Sequence, residues 1–295
     1  MDCKTCTKED CSSKNRKPEE DLEHFLERQE LAKRLCLIKH KILVLSGKGG
    51  VGKSTVAVNL AAALANEGFN VGLMDVDIHG PSIPTMLNLK DVKLSQTENG
   101  IIPVSVGPHF KAISIAFFLE HPEQAVIWRG PMKMAVIKQF IKDVDWGELD
   151  YLIIDSPPGT GDEPLSVAQL IGDMDGGIIV TTPQEVASAD VRKSVRFCET
   201  IKMPVLGIIE NMSGFVCPHC KETTDIFNRG GGSKLAAEMN VPFLGSVPID
   251  PSIMQACDAG MPFITAYSNS VAAKEFVKII GPIIGLEADA VKQEK

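Results

Sequence analysis

Nine consecutive residues, Gly47, Lys48, Gly49, Gly50, Val51, Gly52, Lys53, Ser54 and Thr55 (GKGGVGKST), have types and spacing suited to holding phosphate. They fit G-x-x-x-x-G-K-[ST], directly after the apolar run KILVLS and at the head of an Ala- and Leu-rich stretch. A strand–loop–helix context of this kind is what the motif requires. The glycines let successive backbone N–H groups converge on phosphate oxygens, and the helix that follows adds its positive end. In that setting Lys53 is expected to neutralise the β and γ phosphates of ATP. Ser54 is expected to give its hydroxyl to Mg²⁺, and Thr55 to contact the α phosphate. Lys48 follows the first glycine, and its own loop has no easy use for it.

Two other apolar runs end in carboxylates. YLIIDSPPGTGD puts Asp155 at a strand end, from which a carboxylate holds Mg²⁺ through water, and Gly159 can then present its N–H to the γ phosphate. VGLMDVDIHGPS puts Asp75 at a strand end and Asp77 two residues further on. Asp75 either assists at the metal or caps the turn, a common duty for Asp.

The eight cysteines are unevenly spread. Cys217 and Cys220 form a CxxC in FVCPHCKE; Cys3, Cys6 and Cys11 crowd the N-terminus; Cys36, Cys198 and Cys257 stand alone and read as small buried hydrophobes. One CxxC supplies two thiolates, whereas a [4Fe–4S] cluster or a structural zinc takes about four. A two-fold axis beside the loop would supply Cys217 and Cys220 from each of two subunits. A redox pair or an unliganded loop is the plainer alternative.

The elements that must position these groups follow an α/β pattern. Residues 41–46, 71–77, 151–157, 176–183 and 204–212 read as buried strands, with helices expected over 53–67, 132–143, 163–171, 189–202 and 232–239. That pattern predicts a P-loop NTPase fold: a mostly parallel central sheet flanked by helices on both faces. A helix over 21–36 should pack a stripe of Leu22, Phe25, Leu26, Leu31 and Leu35 on the body. Residues 1–20 read as a flexible Cys-containing tail, 21–285 as a single ATPase domain with the CxxC loop at 214–232, and 286–295 as a C-terminal tail. Gly281-Pro282 is expected to interrupt the last helix.

GKGGVGKST resembles the deviant Walker A group, which spans septum-site and plasmid-partition ATPases, nitrogenase iron protein, arsenite and tail-anchored-protein ATPases and Mrp-type iron-sulfur carriers. The resemblance implies an ATP-linked homodimer in which Lys48 reaches the partner's phosphates and Asp77 orients the attacking water. It also implies that Asn211, in ENMS, and Pro248 and Asp250, in VPIDP, grip adenine. With WRGPM at residues 128–132 and the CxxC, the ordered motifs are similar to those of the Mrp/ApbC family over residues 39–285. That family implies a soluble dimer that binds a labile cluster at the interface CxxC, slowly hydrolyses ATP and passes the cluster to apoproteins. Cys3, Cys6 and Cys11 depart from the four-cysteine N-terminal motif of the eukaryotic cytosolic branch, so a second cluster and a disordered thiol-rich tail stand level.

Composition narrows the alternatives. Across 295 residues, 44% hydrophobic content allows one large core, and a net charge of −8 argues against a specific nucleic-acid partner. No apolar run approaches the roughly 20 residues that span a bilayer, and the N-terminus has no signal-peptide core, so the expected location is cytoplasmic with no membrane partner. The competing readings are an ATP-driven partition or targeting switch, or a chaperone-like ATPase with zinc at the CxxC. A switch of the first kind has no need of the cysteines, and membrane-seeking versions end in a basic amphipathic helix that this sequence lacks.

Overall fold

A computed structural model describes residues 16, 21–78, 80–118, 130–217, 219–220 and 222–293. Helix α1 (Leu22–Leu35) leads into β1 (Ile38–Leu45), α2 (Lys53–Asn66), β2 (Val71–Asp75) and the short α3 (Ile83–Met86). A hairpin of β3 (Ser95–Thr97) and β4 (Gly100–Ile102) precedes β5 (Val104–Gly107) and β6 (Phe110–Ser114). Alternation resumes with α4 (Gly130–Asp143), β7 (Leu149–Asp155), α5 (Asp162–Ile171), β8 (Gly176–Thr181), α6 (Ser188–Thr200) and β9 (Val205–Val216). The chain closes with β10 (Thr223–Thr224), α7 (Gly231–Met239), β11 (Phe243–Ile249), α8 (Pro251–Asp258), α9 (Phe263–Ala266) and α10 (Val271–Gln293).

The main sheet runs β10-β9-β8-β1-β7-β2-β6-β5, with β11 also paired to β9. Its pairs are parallel except β5–β6 and β10–β9. Both faces are covered, which is why the central strands read as continuous apolar runs. Ile42, Val44, Leu73 and Ile153 face α2 and α10, while Leu43, Leu45, Met74 and Ile154 face α4, α5 and α6. Each such fully buried side chain stabilises the fold by about 1.5–3 kcal/mol. Ligands of open α/β sheets sit beyond the carboxyl ends of the strands, and the phosphate loop, the DVD run and the DSPPGTG run leave β1, β2 and β7 at that edge.

Three expectations need correction. The sequence reading missed β6 and β11: FKAIS is short and flanked by polar residues, and FLGSVPI is broken by Gly245 and Pro248. Helix α10 does not stop at Gly281-Pro282 or at residue 285 but continues to Gln293. A proline inside a helix costs about 3 kcal/mol, which the burial of Phe276, Ile279, Ile280 and Ile283 around it outweighs. In α1, Leu35 is buried and Leu31 packs on the core, but Leu22 and Leu26 are exposed. The helix docks instead through Glu27, whose carboxylate lies 2.6 Å from Lys138 Nζ and 3.7 Å from Lys142 Nζ of α4.

Candidate nucleotide site and cysteine hairpin

Strand β1 delivers the chain to a tight loop at residues 47–55. Gly50 and Gly52 take left-handed φ values of +79° and +82°. A Cβ on Gly52 would collide with the side-chain amide of Asn211, and one on Gly47 would lie 2.5 Å from Asp190. The loop is therefore a backbone cradle closed to larger residues. Helix α2 starts at Lys53 without a side-chain cap, so its first N–H groups are left for a ligand.

Parallel register brings the carboxylates together. Asp155 pairs with Val44 and Asp75, and Asp75 pairs with Ser114, so β1, β7, β2 and β6 end in one line. Buried Lys53 sends Nζ to 2.6 Å from Asp155 Oδ1, 3.4 Å from Ser54 Oγ and 3.9 Å from Asp77 Oδ2. Asp75 is fully buried and accepts from Ser114 Oγ at 2.9 Å and from the Asp77 N–H at 3.1 Å, so it caps the turn. Burial first, then repulsion from Asp155, pushes Asp75 up to about 8, so near neutrality its carboxyl holds a proton. Burial also raises Asp155, against the pull of Lys53.

The second oxygen of Asp155 is buried with no hydrogen-bond partner. An orphan acceptor of that kind, within reach of a lysine and a serine hydroxyl, fits a magnesium-bound water. Ser54 and Asp155 are thus the residues that could hold Mg²⁺, which would neutralise phosphate charge. Lys53 rests on a carboxylate where phosphate oxygens could replace it.

Other expected site residues are engaged differently. The Gly159 N–H donates to the Ser46 carbonyl at 2.8 Å rather than standing open for a phosphate, because the loop after β7 folds back on the end of β1. Asn211 donates its amide to the Val51 carbonyl at 2.9 Å, so it braces the phosphate loop itself. Asp250 caps α8 by accepting from the Ser252 N–H at 2.9 Å. Val247 pairs with Asn211, so Pro248, the next residue of β11, and Asp250, just past its end, lie beside that brace. Lys48 is half-buried and has no side-chain partner among the described residues.

The cysteines sit where β9 overruns the sheet. Met212 (φ +59°) and Gly214 (φ +74°) turn the strand out, and a left-handed Met costs about 1–2 kcal/mol. The Cys217 N–H donates to the Glu222 carbonyl at 2.9 Å, and β10 pairs with Phe215 and Val216, closing a hairpin. Cys217 is half-buried, Cys220 is exposed, and Ile226 and Phe227 beyond them are exposed too. Among the described residues no group of three or more His, Cys, Asp or Glu side chains could hold a metal, and Cys217 and Cys220 stand there as a pair of thiols.

Of the solitary cysteines, Cys198 is buried and its thiol is pushed up to about 12 by burial, Cys257 is half-buried, and Cys36 is exposed, contrary to expectation. Cys3, Cys6, Cys11 and residues 128–129 of WRGPM lie outside the described residues. Glu210, which sequence reading passed over, is fully buried and accepts from Ser213 Oγ at 2.5 Å and from the N–H groups of Gly230 at 2.9 Å and Gly232 at 2.5 Å. Its signal was legible: a carboxylate inside the apolar run PVLGIIENM must find partners.

A mostly parallel sheet with a phosphate cradle after β1 and a magnesium-competent carboxylate at the end of β7 defines a P-loop NTPase. A family model described as "ParA: NUBPL iron-transfer P-loop NTPase" matches residues 37–284, and the chain belongs to that family. It is 52% identical over 260 residues to a cytosolic Fe-S cluster assembly factor, CFD1, of Kluyveromyces lactis, covering 85% of this chain and 92% of that one. It is 50% identical over 276 residues to an iron-sulfur cluster carrier protein of Methanocaldococcus jannaschii, covering 93% and 94%. Among solved structures, a nucleotide-binding protein of Archaeoglobus fulgidus in complex with ADP matches with TM-score 0.71 and 41% identity over 80% of this chain and 92% of that one. The Pyrococcus furiosus cell-division ATPase MinD matches with TM-score 0.58 and 23% identity, covering 84% and 99%, a likeness of fold alone.

Proposed function

We propose that this protein is an ATP-dependent iron-sulfur cluster carrier that works as a homodimer and passes its cluster to apoproteins. The observation that carries the reading is the pairing of a phosphate loop and magnesium carboxylate within one chain with a two-thiolate CxxC just beyond the strand that braces that loop. A second copy supplies the missing thiolates, giving a [4Fe–4S] cargo held by Cys217 and Cys220 of both subunits. Lys48, with no partner of its own among the described residues, reaches the phosphates bound by the other copy.

ATP lies along residues 47–55, with Lys53 moving from Asp155 to the β and γ phosphates and Thr55 at the α phosphate. Mg²⁺, held by Ser54 and Asp155, supplies charge neutralisation. Asp77 orients the water that attacks the γ phosphorus as the bond to the β-phosphate oxygen breaks, and turnover is slow. Gly159 exchanges the Ser46 carbonyl for a γ-phosphate oxygen. Asn211, Pro248 and Asp250 form the adenine side. Cys3, Cys6 and Cys11 are a candidate for a second cluster. No described helix is long and apolar enough to cross a membrane, and one relative is named as cytosolic; we assign the protein to the cytosol.

The partition or targeting alternative is disfavoured, since the MinD likeness concerns fold while the half-identical relatives are named for iron-sulfur clusters. Anaerobic reconstitution with ferrous iron and sulfide tests the reading. The expected result is an oxygen-sensitive visible absorbance that the double change Cys217→Ser, Cys220→Ser abolishes. Its absence, or its survival in the double variant, sinks the proposal, and zinc in its place favours the chaperone-like alternative.

A further inference from the structure

Glu210 and Asn211 are consecutive residues of β9, and consecutive strand residues point to opposite faces. Asn211 holds the Val51 carbonyl of the phosphate loop and crowds Gly52. Glu210, on the other face, holds both roots of the cysteine hairpin. Ser213 donates to it at the outgoing root, and the N–H groups of Gly230 and Gly232 at the returning root, where α7 begins. The carboxylate thus serves as a built-in anion at the α7 N-terminus, with all three donors drawn from residues bounding the hairpin.

The surroundings leave this junction little slack. A Cβ on Gly232 would lie 3.1 Å from Glu210 Oε2, and one on Gly231 would collide with the Pro183 carbonyl, so α7 is seated hard against β9 and the turn after β8. Thr181 of β8 and Ser246 of β11 flank Glu210 in register, which fixes its backbone on both sides. The left-handed residues Met212 and Gly214 flank Ser213 on the way from Glu210 to Cys217.

We infer that Glu210 is a positioning residue that couples the phosphate loop to the cysteine pair. Entry of phosphates beneath Val51 and Gly52 displaces Asn211. The rigid one-residue step carries that displacement to the Glu210 clamp, and the clamp re-aims the hairpin bearing Cys217 and Cys220. The inference deepens the carrier reading, on which it rests for its purpose, by naming what links nucleotide state to the cluster ligands.

The test uses metal-free full-length protein and reads the alkylation rates of Cys217 and Cys220, by mass spectrometry, with and without Mg-ATP. In the unmodified protein Mg-ATP is expected to change those rates about fivefold. In Glu210→Gln the ratio falls to about one while ATP affinity stays within about twofold, because the carboxamide cannot accept from all three donors. Ser213→Ala, which keeps both glycine N–H bonds, retains most of the ratio. Equal acceleration in both nucleotide states, with the ratio preserved in Glu210→Gln, would mean a merely structural role and overturn the inference.

Should Glu210→Gln not fold, amide exchange in the unmodified protein decides. Altered protection at Gly230 and Gly232 on adding Mg-ATP supports the coupling, and unchanged protection overturns it. Neither measurement needs a cluster, so failed reconstitution would remove the carrier reading without touching this result.

Discussion

The phosphate loop and the cysteine hairpin leave the same sheet edge but are built in opposite ways. The first is enclosed: Lys53, Asp75, Asp77 and Asp155 are buried, and strand register sets Asp75 beside Asp155. The second is exposed, held at its roots by one buried glutamate, and carries two thiols, which on the proposed function are half of the roughly four ligands a cluster takes. A site that must bind the same nucleotide repeatedly can have its phosphate loop and magnesium carboxylate built within one chain. On the proposed function, a site that must receive and give up its cargo is better left half-made, since separating two halves releases what neither holds alone.

The comparison breaks or sharpens in several ways. The largest effect is expected from Cys217→Ser with Cys220→Ser, which removes all reconstituted cluster yet leaves ATP affinity within about twofold by calorimetry, because no thiolate takes part in the phosphate cradle. A large loss of ATP affinity would mean the two regions are one site. Lys53→Ala is the converse: truncating a buried charged partner of the phosphates costs about 3 kcal/mol, on the order of 100-fold in ATP affinity, with cluster assembly retained. Unimpaired ATP hydrolysis in that variant would refute the assignment of the loop.

Asp75 gives a smaller effect whose sign is fixed by its raised carboxyl. The folded protein keeps a proton that the unfolded chain loses near 3.8, so stability should decline as pH rises from about 4 to about 8 and then level off. Asp75→Asn stays neutral throughout, and denaturant melts should show that decline flattened, with a gain on the order of a few kcal/mol at pH 8. An unchanged slope would mean Asp75 is not the titrating group. Smallest is Met212→Gly, which relieves left-handed strain and should raise stability by about 1 kcal/mol or less. A loss of more than about 1 kcal/mol would instead mean that the Met212 side chain makes packing contacts worth more than the strain.

The same contrast decides what could be read in the sequence. The phosphate loop, Asp155 and the alternation of strands and helices are local patterns, since a glycine-rich turn, an apolar run and a terminal carboxylate each fall within a few residues. What escaped reading depends on contacts across the chain. Asn211 bracing Val51 spans 160 positions, and Glu210 reaching Gly232 spans 22. The bond from Gly159 to Ser46 likewise depends on β7 lying beside β1, which no local pattern specifies. Strand β11 was hidden because Gly245 and Pro248 punctuate it, yet β9 gives it a partner that outweighs its weak propensity. The exposure of Leu22 and Leu26 shows the reverse failure, an apolar spacing without a surface to meet it.

The central claim of the proposed function is that one chain holds the phosphate loop and its magnesium carboxylate but only half of the cluster site. Native mass spectrometry of anaerobically reconstituted protein, with iron, acid-labile sulfide and zinc counted per chain, tests it most directly. The account predicts a dimer in which Cys217→Ser with Cys220→Ser removes one shared cluster, about two iron and two sulfide per chain, with each chain still able to bind one nucleotide. A monomer holding a complete cluster, or a zinc ion in each single chain, would contradict it.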